Sequence, residues 1–338
     1  MTKVQTKAPC RIDLFGGTLD LWPLYLWYQP CATTNVAISV MTSTELDYVP
    51  GGNSITLIHE AGQNHEEFKT TFPLDPTSFK DPWKLSLQSL LYFSQNHHGT
   101  YTLKTSSEAP LGSGLAASSS QLISLIAALN HALGKGHTRE ELQKIARDIE
   151  TQVLQKPAGE QDYFPALFGG IGALNLEVGC LSHNKISKLQ NLFEEELLVF
   201  YTGKPHHSGL SNWEIYQKAV NGDREIVQAM KALALNSQIG ITALQNQDVP
   251  SLKKAIRKDW DLRKKAFDGW YTSEIKEAEK LLESLKVTCF KACGAAAGGC
   301  MFTLVPKADR PPLLQALQES GMTPLDAQLH SDGVSVDT

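Results

Sequence analysis

A chain of 338 residues, 42% hydrophobic and 20% charged, has the apolar mass for one large or two ordinary domains and is no disordered polymer. Its formal net charge is −5 and no run of Lys or Arg forms a basic stripe, which argues against a nucleic-acid partner. No apolar stretch reaches the roughly 18 residues of a membrane span, and "MTKVQTKAPCRIDLFGG" lacks a signal peptide's apolar block; a soluble cytoplasmic protein with no membrane partner is expected.

The first hundred residues read as strand-rich. "ELDYV" and "SITLIHE" flank "PGGN", which predicts a four-residue hairpin loop, and "YTLKTSS" (101–107) alternates like a further strand. From Ser118 the period changes. Leu122, Ile123, Leu125, Ile126, Leu129 and Leu133 recur at helical spacing, and Gly134 and Gly136 end that helix. Thr138, with Glu141 three residues on, predicts a capping box at the start of the next helix. "FGGIGALNLE" returns to strand.

The stretch around 180–190 is polar and weakly periodic, and a domain boundary is placed there, giving 1–183 and 184–338. Beyond it, "LLVFYTG" reads as a strand, and helical patterns run over 211–236, 249–268 and 273–285. Two strand-like pieces, "VTCFKAC" and "CMFTLVP", enclose "GAAAGG". The fold class is therefore α+β in two parts. Cys289, Cys293 and Cys300 cluster, but their spacing fits no zinc pattern; they read as small buried residues at a strand–loop–helix junction.

The segment "APLGSGLAASSS" (109–120) runs straight into a helix. A helix start leaves backbone N–H groups unpaired, and glycines before it let the chain fold around an anion. Gly112, Gly114 and Ser118–Ser120 suit a phosphate cradle and serve equally as a plain surface loop. A Walker loop is excluded, because Ala117 and Ser118 stand where glycine and lysine are required. Gly112-x-Gly114-x-x-Ala117 fits a loose dinucleotide fingerprint, but the helix runs into a second helix instead of the strand that fold needs.

Four segments taken together, "APCRIDLFGGTLD" (8–20), "APLGSGLAASSS" (109–120), "GEQDYFPALFGG" (159–170) and "KACGAAAGGCMF" (291–302), resemble in order and spacing the motifs of the GHMP small-molecule kinases. The sugar kinases of that superfamily, of the heptose 7-phosphate kinase and galactokinase kinds, look most similar. The resemblance implies an N-terminal domain like the second domain of ribosomal protein S5 and a C-terminal ferredoxin-like domain. ATP, Mg²⁺ and a sugar or sugar phosphate would meet in the cleft between them.

Carried over motif by motif, the resemblance assigns Gly112, Ser113, Gly114, Leu115, Ala116, Ala117, Ser118 and Ser119 to the ATP phosphates. Ser118 and Glu150 would hold Mg²⁺. Asp162 would be the catalytic base, with Arg11 keeping it ionised and offsetting migrating charge. Asp20 and Asp162 would face the sugar, joined by His206, His207 and Ser208 from "YTGKPHHSGLSNWE" (201–214). Gly294, Ala295 and Ala296 would form the third-motif loop. Two departures stand out: Ala296 and Ala297 interrupt the glycines of that loop, and Ala116 and Ala117 replace the usual Gly and Ser of the second motif. The protein is expected to work as a monomer or homodimer. A non-catalytic sensor of the same fold, binding ATP and sugar, is the other function class; the four catalytic-type residues favour an enzyme.

Overall fold

The computed structural model describes residues 1–61, 64–95, 98–203, 208–267, 269–294 and 299–338. β1 (Thr2–Phe15) opens the chain with alternating burial, then is buried at every position from Ala8 onward. That change means one face meets solvent at first and both faces are covered later. Motif one sits in the doubly covered half.

A short helix, α1 (Leu24–Trp27), leads to the long bent strand β2 (Ala32–Ala61), then β3 (Asn64–Thr70), α2 (Lys84–Ser94) and β4 (Gly99–Ser107). Next come α3 (Ala117–Ala132), α4 (Arg139–Leu154), α5 (Tyr163–Phe168), β5 (Ile171–Glu177) and β6 (Cys180–Ile186). The capping box at Thr138 and Glu141 is formed on both sides.

Gly51 and Gly52 turn the chain with positive φ, as "PGGN" predicts. The arms do not make a hairpin, however, because β4 lies between them. Thr42–Pro50 runs against Ser107–Gly99, whereas Ser54–Glu60 pairs with Thr100–Ser106 with numbering that rises together. Turn residues signal a reversal; they do not say which strand fills the gap.

The second half adds α6 (Gln190–Glu196), β7 (Leu197–Tyr201), α7 (Ser208–Val220), α8 (Arg224–Asn246), α9 (Val249–Ala266) and α10 (Ser273–Ser284). β8 (Phe290–Ala292), β9 (Cys300–Leu304), α11 (Arg310–Glu319), β10 (Thr323–Leu325) and β11 (Ser335–Asp337) follow. The single helix expected over 211–236 is two: Gly222 takes a positive φ, and the Asp223 side chain caps α8 by accepting from the N–H groups of Glu225 and Ile226.

The large sheet runs β11–β1–β2–β5–β6, with β3 and β4 on the far part of β2; the smaller runs β10–β7–β9–β8. A division at 183/184 falls within β6, whose polar character reflects an exposed sheet edge. The chain's last strand returns to pair with β1. Leu122 and Ile126 of α3 pack on Leu46 and Leu103 on one side of the large sheet. On the other side, Ile12 and Val36 share a core with Val199, Phe302 and Ile256. Each such side chain contributes about 1.5–3 kcal/mol by leaving water, so this second core is what fixes motif one against the C-terminal half.

Cys289, Cys293 and Cys300 are free and buried, as expected of small core residues, but their junction is strand–loop–strand. Among the described residues, no helix is long and apolar enough to cross a membrane.

Candidate active site

Irregularities in the β1–β2 register fall between Pro9 and Cys10 and between Asp13 and Phe15, bracketing Arg11. Such bulges re-aim side chains. The Arg11 guanidinium, 3% exposed, donates to Asp162 Oδ1 from Nε at 3.0 Å and from Nη2 at 2.7 Å. Its Nη1 donates to the Gly114 carbonyl at 2.8 Å. One side chain thus joins motif one, the phosphate-type loop and the 159–170 segment. Burial opposes the Arg11 charge, but Asp162 and Asp13 outweigh it and hold the pKa above its ordinary value. Asp162, just before α5, keeps 29% of its side chain exposed.

The loop before α3 is built for close approach. Gly114 has φ +74°, and a Cβ there would lie 2.6 Å from the Cys293 carbonyl oxygen. Cys300 N–H donates to the Ser113 carbonyl at 2.7 Å, so the loop packs on both ends of the 293–300 connection. Ala116 stands at the N-cap of α3 with φ +60°, and no side chain caps that end. The departure from glycine is therefore accommodated in a left-handed backbone. The first turn of a 16-residue helix keeps its N–H groups for another acceptor.

Two carboxylates, half-buried Glu150 and buried Asp20, flank this centre. Glu150 on α4 accepts from Ser119 Oγ at 3.2 and 3.1 Å and from the Tyr163 hydroxyl. Burial drives its pKa up to about 7; the Tyr163 bond lowers it and Asp162 adds to the rise. Asp20, 2% exposed, accepts from Gln161 N–H at 3.0 Å. Burial, with Asp162 nearby, raises it to about 6. Ser118 lies exposed on the first turn of α3, so the bonded partner of Glu150 is the next serine.

A family model described as the GHMP kinases N terminal domain matches residues 84–170. D-glycero-alpha-D-manno-heptose 7-phosphate kinase of Campylobacter jejuni is 24% identical over 338 residues, covering 99% of this chain and 98% of that protein. Galactokinase of Thermococcus kodakarensis is 28% identical over 146 residues, covering 43% of this chain and 39% of its own. A D-glycero-D-manno-heptose 1-phosphate kinase structure from Bacteroides thetaiotaomicron superposes with a TM-score of 0.78 at 20% identity, covering 99% of each chain.

Residues 84–170 thus match the N-terminal domain of the GHMP kinases, and the chain has the α+β fold of the GHMP kinase structures it resembles. It is a phosphotransferase of the small-molecule type, acting on a hydroxyl acceptor.

ATP is the phosphoryl donor of these kinases, generally with Mg²⁺. The residues present suit both. The uncapped start of α3 offers N–H donors to phosphate. Glu150 is a half-buried carboxylate whose bonded partners, among the described residues, are hydroxyls and not a cation. Among the described residues no group of three or more His, Cys, Asp or Glu side chains forms a cage. Mg²⁺ does not need one: it typically takes one or two carboxylates and completes its shell with water and substrate phosphates.

Other expected residues divide cleanly. Gly294 N–H donates to Asp13 Oδ1 at 2.8 Å, which ties the third motif to the first. Ala295 and Ala296, and His206 and His207, lie outside the described residues, and of the Ser208 side chain nothing is described. Among the buried charges that escaped the sequence reading are Asp259, Arg263 and Lys291, which lie against motif one. A signal was there. Asp259 and Arg263, four apart, fall on the same stripe of α9 as Leu252, Ala255, Ile256 and Trp260, where charge is costly without a partner.

Proposed function

We propose that this kinase transfers the γ-phosphoryl group of Mg–ATP to a hydroxyl of a heptose- or hexose-type sugar or sugar phosphate. The observation that carries the reading is the Arg11 bridge, one guanidinium bonded to both Asp162 and the Gly114 carbonyl of the phosphate loop. It fixes the distance between the place where phosphate is held and the carboxylate that receives the acceptor proton. Phosphoryl transfer needs positioning and charge stabilisation more than covalent help, and the bridge supplies both.

In this reading Asp162 orients the acceptor hydroxyl and takes its proton through Oδ2, the oxygen that Arg11 does not engage. Arg11 orients that carboxylate through its two hydrogen bonds and offsets charge in the transition state. The α3 N-terminus holds the ATP phosphates, and Ser118 and Glu150 would hold Mg²⁺, which when bound neutralises phosphate charge. Asp20 accepts hydrogen bonds from neighbouring sugar hydroxyls, a geometry that suits a charged acceptor. The end-to-end similarity to a heptose 7-phosphate kinase supports a sugar phosphate of that size as acceptor.

The test is ADP release under multiple turnover with Mg–ATP and a panel of hexoses, heptoses and their phosphates. Steady turnover with one member supports the reading. Binding of ATP and a sugar without ADP release from any member would instead identify a sensor.

A further inference from the structure

α9 carries two charges into the core. Arg263 Nε donates to Asp259 Oδ2 at 2.6 Å, and Lys291 Nζ lies 3.3 Å from the same oxygen. Lys291 also pairs with Asp13. Two cations and two anions, each nearly inaccessible to water, thus close on one another. Such a ladder is weak evidence for stability, because well-packed apolar residues often serve as well. What it does show is geometry.

The remaining bonds of the α9 pair all go to one segment of motif one. Asp259 Oδ1 accepts from Gly16 N–H at 2.9 Å. Arg263 Nη2 donates to the Gly17 carbonyl at 2.6 Å, and Nη1 to Thr18 Oγ1 at 3.2 Å. That segment is not relaxed. Thr18 is β-branched yet has φ +71°, a backbone region such residues rarely enter unless the surroundings hold them there.

Gly17 completes the arrangement. A Cβ there would lie 2.9 Å from Gln161 Nε2, 3.3 Å from Asp13 Oδ2 and 3.5 Å from Arg263 Nη2. A side chain at Gly17 would therefore crowd both the ladder and Gln161, whose backbone N–H holds Asp20.

We propose that Asp259 and Arg263 are positioning residues for the acceptor site: from α9 they clamp Gly16–Thr18 in the strained turn that sets the place of Asp20. The C-terminal half thereby tunes acceptor affinity without touching the acceptor. This rests on the reading of Asp20 as the sugar-binding carboxylate.

The experiment compares the full chain with Arg263→Lys, which keeps the charge and loses the planar fork. The acceptor probe is D-glycero-alpha-D-manno-heptose 7-phosphate. KM for the probe should rise at least about 10-fold, while KM for ATP and kcat stay within about 3-fold. Placed in an Asp20→Asn background, Arg263→Lys should add less than about 2-fold to the probe KM, because its effect passes through Asp20. Equal rises in both KM values, or full additivity in that background, would overturn the proposal.

Thr18→Ala removes the hydroxyl that accepts from Arg263 and donates to Asn212, together with the γ-methyl, and leaves the ion pairs; it should raise probe KM selectively, though by less. If Arg263→Lys does not fold, this variant decides, and an unchanged probe KM counts against the clamp. If the parent enzyme does not turn over the probe, the choice of acceptor fails, and hydrogen exchange then judges the clamp. Arg263→Lys, or Thr18→Ala if it does not fold, should speed amide exchange over 16–20 and leave 112–120 unchanged. Unaltered exchange over 16–20 would refute it.

Discussion

Arg11 and Asp162 lie 151 positions apart in the chain, yet two N–H groups of one converge on a single carboxylate oxygen of the other. Arg11 reaches that point because β1 is pinned between two cores, and Asp162 because it precedes a short helix buried along one side. Their pairing is the hub from which the predictions below are drawn.

The acceptor site should be sensitive to pH through Asp20. Its carboxyl is raised to about 6 by burial and by Asp162, so acidification below that value converts an acceptor into a donor. Sugar affinity, measured by calorimetry, should fall as pH drops from about 8 to about 5, with the change centred near 6. Asp20→Ala should weaken sugar binding by roughly 10- to 200-fold at neutral pH and leave ATP affinity nearly unchanged. A parallel loss of ATP affinity would reassign Asp20 to a structural role.

The same group makes a stability prediction of defined sign. Asp20 shifts from 3.8 to about 6 on folding, so between those values the folded state holds the proton more tightly than the unfolded chain. Stability therefore declines as pH rises through that window, where the buried carboxyl must ionise. Asp20→Asn removes the decline. Denaturant unfolding should show the variant gaining on the parent at about pH 7.5 relative to about pH 4; a gap independent of pH would contradict the assignment.

Neighbouring serines should separate by function. Ser118→Ala, at an exposed position, should leave the fold intact, raise the Mg²⁺ concentration needed for half-maximal rate and lower kcat. Ser119→Ala removes a buried hydroxyl from Glu150 and should also lower thermal stability by about 1 kcal/mol. Kinetics of Ser118→Ala that are unchanged across a Mg²⁺ titration would take Ser118 out of the metal site.

Gly114→Ala should be far more damaging than its size suggests. The added methyl would sit 2.6 Å from the Cys293 carbonyl oxygen in a backbone with φ +74°, so the phosphate loop must shift away from the third motif. We expect KM for ATP to rise at least about 10-fold with sugar affinity largely kept, as read by calorimetry. Normal ATP binding would mean that this loop tolerates displacement.

Much of this was legible in the sequence, for physical reasons that differ by region. The helix from Ala117 and the capping box at Thr138 rest on local periodicity and local hydrogen bonding, which a short window displays in full. The Asn221-Gly222-Asp223 break was equally local, but the apolar positions on either side of it kept a common helical phase. The placement of β4 between the arms of β2 was not legible, because register across the sheet depends on residues some fifty positions away. The same holds for the Asp13, Lys291, Asp259 and Arg263 ladder, in which each charge gains meaning only from partners on distant elements. Ser119 rather than Ser118 as the bonded partner of Glu150 turns on about 100° of helix rotation per residue. Motif spacing alone does not resolve that.

The central claim is that Asp162, held by Arg11, supplies the proton acceptor for phosphoryl transfer to a sugar hydroxyl. Asp162→Asn keeps the size and most of the hydrogen bonding but removes the charge and the basic oxygen. The direct measurement pairs single-turnover phosphoryl transfer with equilibrium binding of Mg–ATP and sugar on this one variant. The account predicts a transfer rate lower by about 10²- to 10⁴-fold with both affinities within a few-fold of the parent. A variant that binds both ligands normally and transfers phosphate at near the parent rate would contradict it, leaving the phosphate loop and bound metal as the source of the rate.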